Sequence, residues 1–180
     1  MPWRHVIAVL GTGLLMCACS PSPEKQYSDS MAEIIPSLTE WGTAAQALDS
    51  RLIGGTYTQA DGTEFLIGDF IFLWMNGGSY VWEDPRDEAD RALLALQPDL
   101  GIVIDKGFDL RASIEGLTPP SEMQTYQAEL IACMKAEIEK GKAIQDILAT
   151  QSTSLNPDDH ACDNWQSSFA QVEAFVNSHK

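Results

Sequence analysis

Carboxylate and imidazole side chains are concentrated near the C-terminus, where their types would suit a metal site. Asp158, Asp159 and Asp163 lie in one short stretch with His160. Carboxylate oxygens bind calcium, and an imidazole extends the ligand set to transition metals. Their spacing matches no recognised calcium-binding loop. A solvent-exposed turn in which Asp163 caps the following helix explains the same residues, and we predict no bound metal.

Asp69 is the second residue whose position could support chemistry, because it is the one charged residue between Phe65 and Met75. A carboxylate in an apolar cleft can acquire a raised pKa and act as an acid or base. More often such a residue is a buried acceptor with a hydrogen-bond partner. The sequence places no second carboxylate or histidine beside it, and it lacks Gly-x-Ser-x-Gly, His-Glu-x-x-His and Cys-x-x-Cys motifs. We therefore expect a protein that is not an enzyme and carries no cofactor.

Aromatic residues flank the same apolar run and could form a binding surface. They are Tyr57, Trp74, Tyr80 and Trp82. Such rings are enriched where proteins bind other proteins, peptides or small ligands. Packing in the hydrophobic core is the simpler explanation of the same residues. Together with Asp69, the four rings are our candidate partner or ligand surface.

The N-terminus carries the pattern of an export signal. Arg4 precedes a short apolar run from Val6 to Met16, which is too short to span a bilayer about 30 Å thick, and Cys17 and Cys19 follow. The segment that ends in Ala18-Cys19 resembles the lipobox of bacterial lipoproteins. That resemblance implies cleavage after Ala18 and lipidation of Cys19. Ser20, in place of an Asp, implies delivery to the outer membrane. An ordinary secretory signal and a buried apolar helix are the alternatives.

The predicted domain organisation follows from this signal. Residues 1–18 are the signal peptide, and residues 19–30 are a lipidated N-terminus and flexible tether, because Ser and Pro dominate the segment that follows Cys19. Residues 31–180 are a single helical domain.

Two cysteines remain in the mature chain, and we predict that they form a disulfide. Cys133 and Cys162 are an even pair in a compartment that the export signal makes oxidising. Cys133 falls within a helical pattern, so residues 151–161 must run back along that helix to close the bridge. Two buried free thiols and a metal-bound pair are the alternatives.

Apolar spacings of three and four residues predict a mainly α fold, an antiparallel bundle of four to five helices. The first helix occupies residues 31–52 and stops at Gly54-Gly55. Asp84 caps a second helix that ends near Gln97, and Pro98 opens a third that continues to Leu117. A long helix begins at Ser121 and folds back on the third. The last helix is capped by Asp163.

Residues 55–83 do not show a clear period. A buried helix at 64–75 is slightly favoured over strands, while Asp61-Gly62 and Asn76-Gly77 are typical of hairpin turns. A small β-hairpin is therefore the alternative for this region.

The charge balance excludes one class of partner and suggests another. Asp and Glu number 26 against 11 Lys and Arg, which gives a net charge of -15 and makes nucleic-acid binding a poor expectation. Loss of residues 1–18 removes Arg4 and no acid, so the mature chain carries -16. Such a surface attracts cationic proteins.

Three functional interpretations follow. The first is a non-enzymatic lipoprotein, anchored in the outer membrane and facing the periplasm, that serves as an interaction or envelope-maintenance module. The alternative is a protective inhibitor or immunity lipoprotein that binds a basic enzyme or toxin. A binder of small ligands around residues 57–82 is a third class.

Overall fold

The computed structural model describes residues 21–151 and 160–180 and is mainly helical, with one small antiparallel sheet, as the sequence predicts. The helix Pro85–Gly101 continues without interruption through a π turn at Ile102–Lys106 into the helix Gly107–Glu115, so the described residues contain five continuous helical runs. The elements are α1 (Pro23–Gly54), β1 (Thr56–Thr58), β2 (Glu64–Leu66), α2 (Ile67–Met75), a 3₁₀ turn (Gly78–Val81), α3 (Pro85–Gly101), a π turn (Ile102–Lys106), α4 (Gly107–Glu115), α5 (Gln124–Thr150) and α6 (Trp165–Ser178).

Helix α1 begins at Pro23, earlier than the sequence predicts. The prediction of a flexible tether at residues 19–30 is therefore wrong from Pro23 onward. The Ser22 side chain accepts a hydrogen bond from the Lys25 N–H at 3.2 Å, and Pro23 occupies the first turn. Tyr27 and Ser28 are buried. Serine and proline are typical of flexible tethers, but here they are helix-start residues. Cys19 and Ser20 lie outside the described residues.

Cross-contacts show that neighbouring helices are antiparallel. Between α1 and α6, Ser28 Oγ donates to the Val176 carbonyl at 3.4 Å. Further along the same pair, the rings of Trp41 and Trp165 lie 5.2 Å apart. Residue numbers thus rise from 28 to 41 along α1 while those of the contacted residues in α6 fall from 176 to 165, so the two helices run in opposite directions. The paired contacts between α4 and α5 and between α5 and α6 run in the same sense: Gln127 with Ile114, Gly107 with Ile138, Cys133 with Cys162, and Glu129 with Ser168.

The chain does not break at Pro98, contrary to the sequence-based expectation. Helix α3 continues to Gly101, with Pro98 inside it. Arg51 supports this point from α1: its Nε lies 2.7 Å from Asp99 Oδ2, and its Nη1 donates to the Ala95 carbonyl at 3.0 Å. Proline removes one helical hydrogen bond, but it does not end this helix. The preference for helix over strand at 102–104 is confirmed, in the form of a π turn.

Residues 55–83 contain both of the elements that periodicity left open. Strands β1 and β2 pair in the register Tyr57↔Phe65, and the turn between them contains Gly62 at φ +86°. A buried helix follows, although it begins at Ile67 rather than at residue 64. Trp74 fixes α2 to the end of α5, because its Nε1 donates to the Ile147 carbonyl at 2.8 Å.

The disulfide between Cys133 and Cys162 is confirmed, with an S–S distance of 2.07 Å. It joins the middle of α5 to the start of α6. Closing a loop of 29 residues contributes about 3–4 kcal/mol in the chain-entropy description. The predicted N-cap is wrong by one residue: Asn164 precedes the helix and makes no side-chain capping bond. Asp163 lies instead 3.2 Å from His160 Nδ1. The proposed return path at 151–161 falls mostly outside the described residues.

Candidate functional site

Three of the four predicted aromatic residues meet in one cluster with two phenylalanines. Phe70 lies at its centre, 4.9 Å from Trp82, 5.5 Å from Tyr57 and 5.8 Å from Trp74 between ring centroids. Phe65 packs edge-on against Trp82 at 5.7 Å. Tyr57 and Trp74 are buried and Trp82 is half-buried. Core packing therefore accounts for Tyr57 and Trp74, while Trp82 also reaches the surface.

The other two candidate residues lie outside this cluster. Asp69 is exposed in the first turn of α2, so the expectation of a buried carboxylate is wrong. The helix turns Asp69 away from the core while Phe70, next to it in sequence, faces inward. The helix dipole favours a carboxylate at that end, which is a sufficient explanation of the residue. Tyr80 is 87% exposed, so it is not a core residue either.

Beside the aromatic cluster lies a groove of about 590 Å³ that combines apolar and acidic walls. We call it the acidic groove. Phe65, Val81 and Trp82 supply its apolar surface. Its carboxylates come from the hairpin turn and from the start of α3: Asp61, Glu83, Asp84 and Glu88.

Glu88 is the most unusual residue in the acidic groove, because it is charged and only 4% exposed. Its Oε1 accepts a hydrogen bond from the Ala60 N–H at 2.9 Å. Its Oε2 is closed off from solvent and lies beside the Tyr57 hydroxyl.

The Tyr57 hydroxyl is likewise buried, next to the Glu88 carboxylate. Burial raises the pKa of Tyr57, the Gln59 side chain opposes that shift, and the charge of Glu88 and a hydrogen bond to it raise the pKa further. Tyr57 therefore stays protonated and adds no negative charge. The negative charge of the acidic groove belongs to its four carboxylates.

Local sequence explains how the groove is built. Asp84 Oδ1 accepts from the N–H groups of Arg86 and Asp87, both at 3.1 Å, and so starts α3 one turn before Glu88. At the hairpin turn, Asp61 Oδ1 accepts from the Thr63 N–H at 2.9 Å and from its hydroxyl at 2.7 Å. Those two hydrogen bonds lower the pKa of Asp61, the hydroxyl contributing most. Asp61 is thus held as a carboxylate.

Sequence reasoning missed Glu88, because the acids of residues 83–90 were interpreted as helix-start chemistry. That interpretation is right for Asp84. The signal for Glu88 was its spacing: it lies four and eight residues before Ala92 and Leu96, both fully buried. Glu88 therefore belongs to the inward stripe of α3 rather than to its solvent face.

A second, smaller cleft of about 280 Å³ lies beside the disulfide. Glu137 is 8% exposed there, and Lys140 Nζ lies 2.6 Å from both Glu137 Oε2 and Asp49 Oδ1. Burial raises the pKa of Glu137, and Lys140 opposes that shift. Burial alone would lower the pKa of Lys140, but its bonds to Asp49 and Glu137 outweigh burial and raise it. The positive charge of Lys140 is balanced by Glu137 and Asp49, so this cluster is a structural ion network.

Only part of the possible metal site near the C-terminus lies within the described residues. Asp158 and Asp159 lie outside the described residues, while His160 and Asp163 are on the surface. Within residues 21–151 and 160–180, no three His, Cys, Asp or Glu side chains come close enough together to hold a metal ion.

No family model, curated protein or solved structure matches this chain. None of the helices in the described residues is long and apolar enough to cross a membrane. The acidic groove and the N-terminal sequence are therefore the features that bear on function.

Proposed function

We propose that this chain is a non-enzymatic lipoprotein of the bacterial outer membrane that faces the periplasm and binds a basic protein. The observation that carries the proposal is the acidic groove, where three further carboxylates and the half-buried Trp82 surround Glu88. Anchoring through Cys19 is supported by the lipobox-like sequence alone. Interaction and envelope maintenance fit such a binding surface.

The position of the acidic groove along α1 supports the proposal. At most about 14 Å of extended chain separates Cys19 from the first residue of α1. Helix α1 has 32 residues and is about 48 Å long. The hairpin that forms one wall of the groove follows the other end of α1 directly. An anchor at Cys19 would thus present the groove away from the membrane.

A protective inhibitor or immunity protein is the second candidate. The large excess of acidic residues over basic ones favours it, because such a surface steers a basic enzyme or toxin toward the chain. Both candidates use the same groove and differ in whether the partner loses an activity when bound.

Metabolic labelling with palmitate tests the anchor. The native chain should incorporate label and sediment with outer membranes, whereas a Cys19→Ala chain should do neither. A Cys17→Ala chain is the matched control and should retain both properties. Equal labelling of the Cys19→Ala chain and the native chain would refute lipidation at Cys19.

A capture experiment from envelope extract tests the binding function. At low ionic strength the native chain should retain a basic protein, and about 0.3 M salt should release it, because salt screens exposed charges beyond a few ångströms. Retention that does not change with salt would contradict an electrostatic partner.

A further inference from the structure

Two adjoining cavities form a groove between α1 and α6. The cavity of about 220 Å³ lies toward the start of α1 and the end of α6, where Ala32 and Lys180 line it. The cavity of about 330 Å³ continues to Gln46 and Trp165. Glu173 lines both cavities, so they are continuous, and we call the two together the α1/α6 groove. From the level of Ala32 to that of Gln46 it is about 21 Å long.

Apolar side chains from both helices line the α1/α6 groove, among them Ile35 and Leu38 of α1 and Phe169 of α6. Thr39 and Thr43 also line it, but their hydroxyl groups donate to the carbonyls of Ile35 and Thr39, each at 2.9 Å. Hydroxyl groups that are satisfied within the helix do not require a polar ligand. An apolar occupant is therefore the better match to this groove.

The chain itself brings a candidate occupant to the near end of the α1/α6 groove. Cys19 can lie up to about 14 Å from the first residue of α1, and Ala32 lies about 14 Å along that helix. The residues that join Cys19 to α1 are therefore numerous enough to place Cys19 level with Ala32. An acyl chain that reaches the middle of a hydrocarbon core about 30 Å thick is about 15 Å long. From Ala32 such a chain would extend to the level of Gly42 and Trp165, which both line the groove.

We propose that the α1/α6 groove binds an acyl chain carried on Cys19 while the protein is outside a membrane. This inference rests on the proposed function, because it requires lipidation of Cys19. Water disfavours a free acyl chain, at a cost that grows with each CH₂ group, and the groove lowers that cost between export and insertion.

The same groove lets the acyl chain leave when a membrane is available. Thr39, Thr43 and Ala170 are exposed, so the groove is open to solvent and covers an acyl chain only in part. A bilayer surrounds the chain on all sides and removes more of its apolar surface from water. The equilibrium therefore favours the groove in water and the bilayer at the membrane.

The charge of the groove favours this acyl group over a free fatty acid. Glu173 brings a carboxylate to both cavities, and the whole chain has a net charge of -15. A free fatty acid is an anion at neutral pH and is repelled, whereas an acyl group in ester or amide linkage is uncharged. Long charged side chains cover apolar surface with their methylene groups while the charged end stays in water, so Glu173 is compatible with an apolar occupant.

The first test uses the mature chain without its lipid, residues 19–180 with Cys19→Ser. The probe is a monoacylglycerol with a dibrominated acyl chain, which is uncharged and quenches tryptophan emission on contact. Emission should fall as the probe is added, and Trp165→Phe should remove that decrease, because Trp165 lines the groove whereas Trp41 and Trp74 are buried. No decrease in the chain that keeps Trp165, or an equal decrease in Trp165→Phe, would overturn the proposal.

Two substitutions that change the charge equally decide whether the groove is the site. Ala170→Glu places a carboxylate at an exposed position that lines the groove, and should weaken probe binding about tenfold. Gln171→Glu is the matched control, exposed and outside both cavities, and should leave the affinity within about twofold. Equal weakening by both variants would overturn the assignment, because it would show an effect of net charge rather than of the groove.

The lipidated native chain identifies the occupant. After dilution out of detergent it should bind the probe at least about tenfold more weakly than the chain without lipid, because a tethered acyl chain competes at high effective concentration. Equal affinity in the two chains would show an empty groove and overturn the acyl chain of Cys19 as its occupant. Palmitate labelling that succeeds while these measurements fail would reject this inference alone, whereas a native chain without label would reject the anchor as well.

Discussion

Glu137 shows how one buried carboxylate makes stability depend on pH. Burial outweighs the opposing effect of Lys140, so the pKa of Glu137 is raised in the folded chain. In the unfolded chain it is near the ordinary glutamate value of about 4.3. A group with a raised folded pKa contributes stability that is fully present below the unfolded pKa and is lost as pH rises through the folded pKa. At neutral pH, the ionised Glu137 therefore stabilises the fold less than its protonated form does in acid.

We predict that Glu137→Gln gains stability relative to the native chain as pH rises. The amide cannot ionise, so the loss of stability above about pH 4.3 disappears in the variant. The measurement is the free energy of unfolding in urea for both chains at pH 4.5 and pH 7.5. The difference between variant and native chain should be more favourable to the variant at pH 7.5.

Glu139→Gln is the control for this prediction, since Glu139 is exposed two residues further along α5. Its stability relative to the native chain should hardly change between the two pH values. If the difference for Glu137→Gln were also the same at both, the carboxylate would have an ordinary pKa, and the conclusion that burial outweighs Lys140 would be refuted.

The role of a single side chain could be predicted from the sequence only where a local rule determines that role. Asp84 as a helix cap and Cys133 with Cys162 as a bridge were recognised from type and spacing, and the structure confirms both. Asp69 and Glu88 were assigned to the wrong environments. Their burial depends on which way a helix faces in the bundle, and a short apolar run does not define that direction.

At the scale of elements, α1, α4 and α5 approach closely where a glycine lies between two large side chains. A Cβ at Gly107 would lie 2.7 Å from Trp41 Nε1 and 2.9 Å from Ile138 Cγ1. Trp41 is buried here because its Nε1 donates to the Val103 carbonyl at 3.0 Å, within the π turn. The absence of a side chain at residue 107 therefore lets the three helices meet.

We predict that Gly107→Ala destabilises the chain by about 1–3 kcal/mol, because the new methyl group forces Trp41 or Ile138 from its packed position. Gly101→Ala is the matched control: its Cβ would meet nothing within 4 Å, and its backbone is helical. That change should stabilise the chain by about 0.5–1 kcal/mol. Urea unfolding measures both, and a Gly107→Ala chain as stable as Gly101→Ala would contradict the close approach.

The elements themselves could be predicted wherever the apolar period was long. The period of three and four persisted through α1 and α5, and both helices are present. The predicted break at Pro98 was wrong: the helix continues to Gly101, and Arg51 of α1, 44 positions before Ala95 in the chain, donates to the Ala95 carbonyl. Long-range contacts of this kind are not visible in local sequence. Local sequence does not decide between the hairpin and α2, because both are short and a short apolar segment fits the period of a strand as well as that of a helix.

At the scale of the whole molecule, charge and the two chain ends determine how an anchored domain would be oriented. Lys25 Nζ donates to the His179 carbonyl at 3.0 Å, so the C-terminus lies beside the start of α1. Residues 24 and 53 lie near opposite ends of that helix, about 40 Å apart along its axis. An acidic chain is repelled by anionic lipid, which favours an upright domain over one that lies flat on the membrane.

We predict that a dye at residue 24 of the lipidated chain lies close to the membrane and that a dye at residue 53 does not. Both positions are exposed, Ile53 at 83%, so each accepts an azide-bearing amino acid for labelling without a new cysteine. The chain is reconstituted in vesicles of phosphatidylethanolamine and phosphatidylglycerol that carry a headgroup acceptor. Energy transfer should be strong from residue 24 and weak from residue 53. Equal transfer from both would mean that the domain lies flat, and the acidic groove would then not be presented away from the membrane.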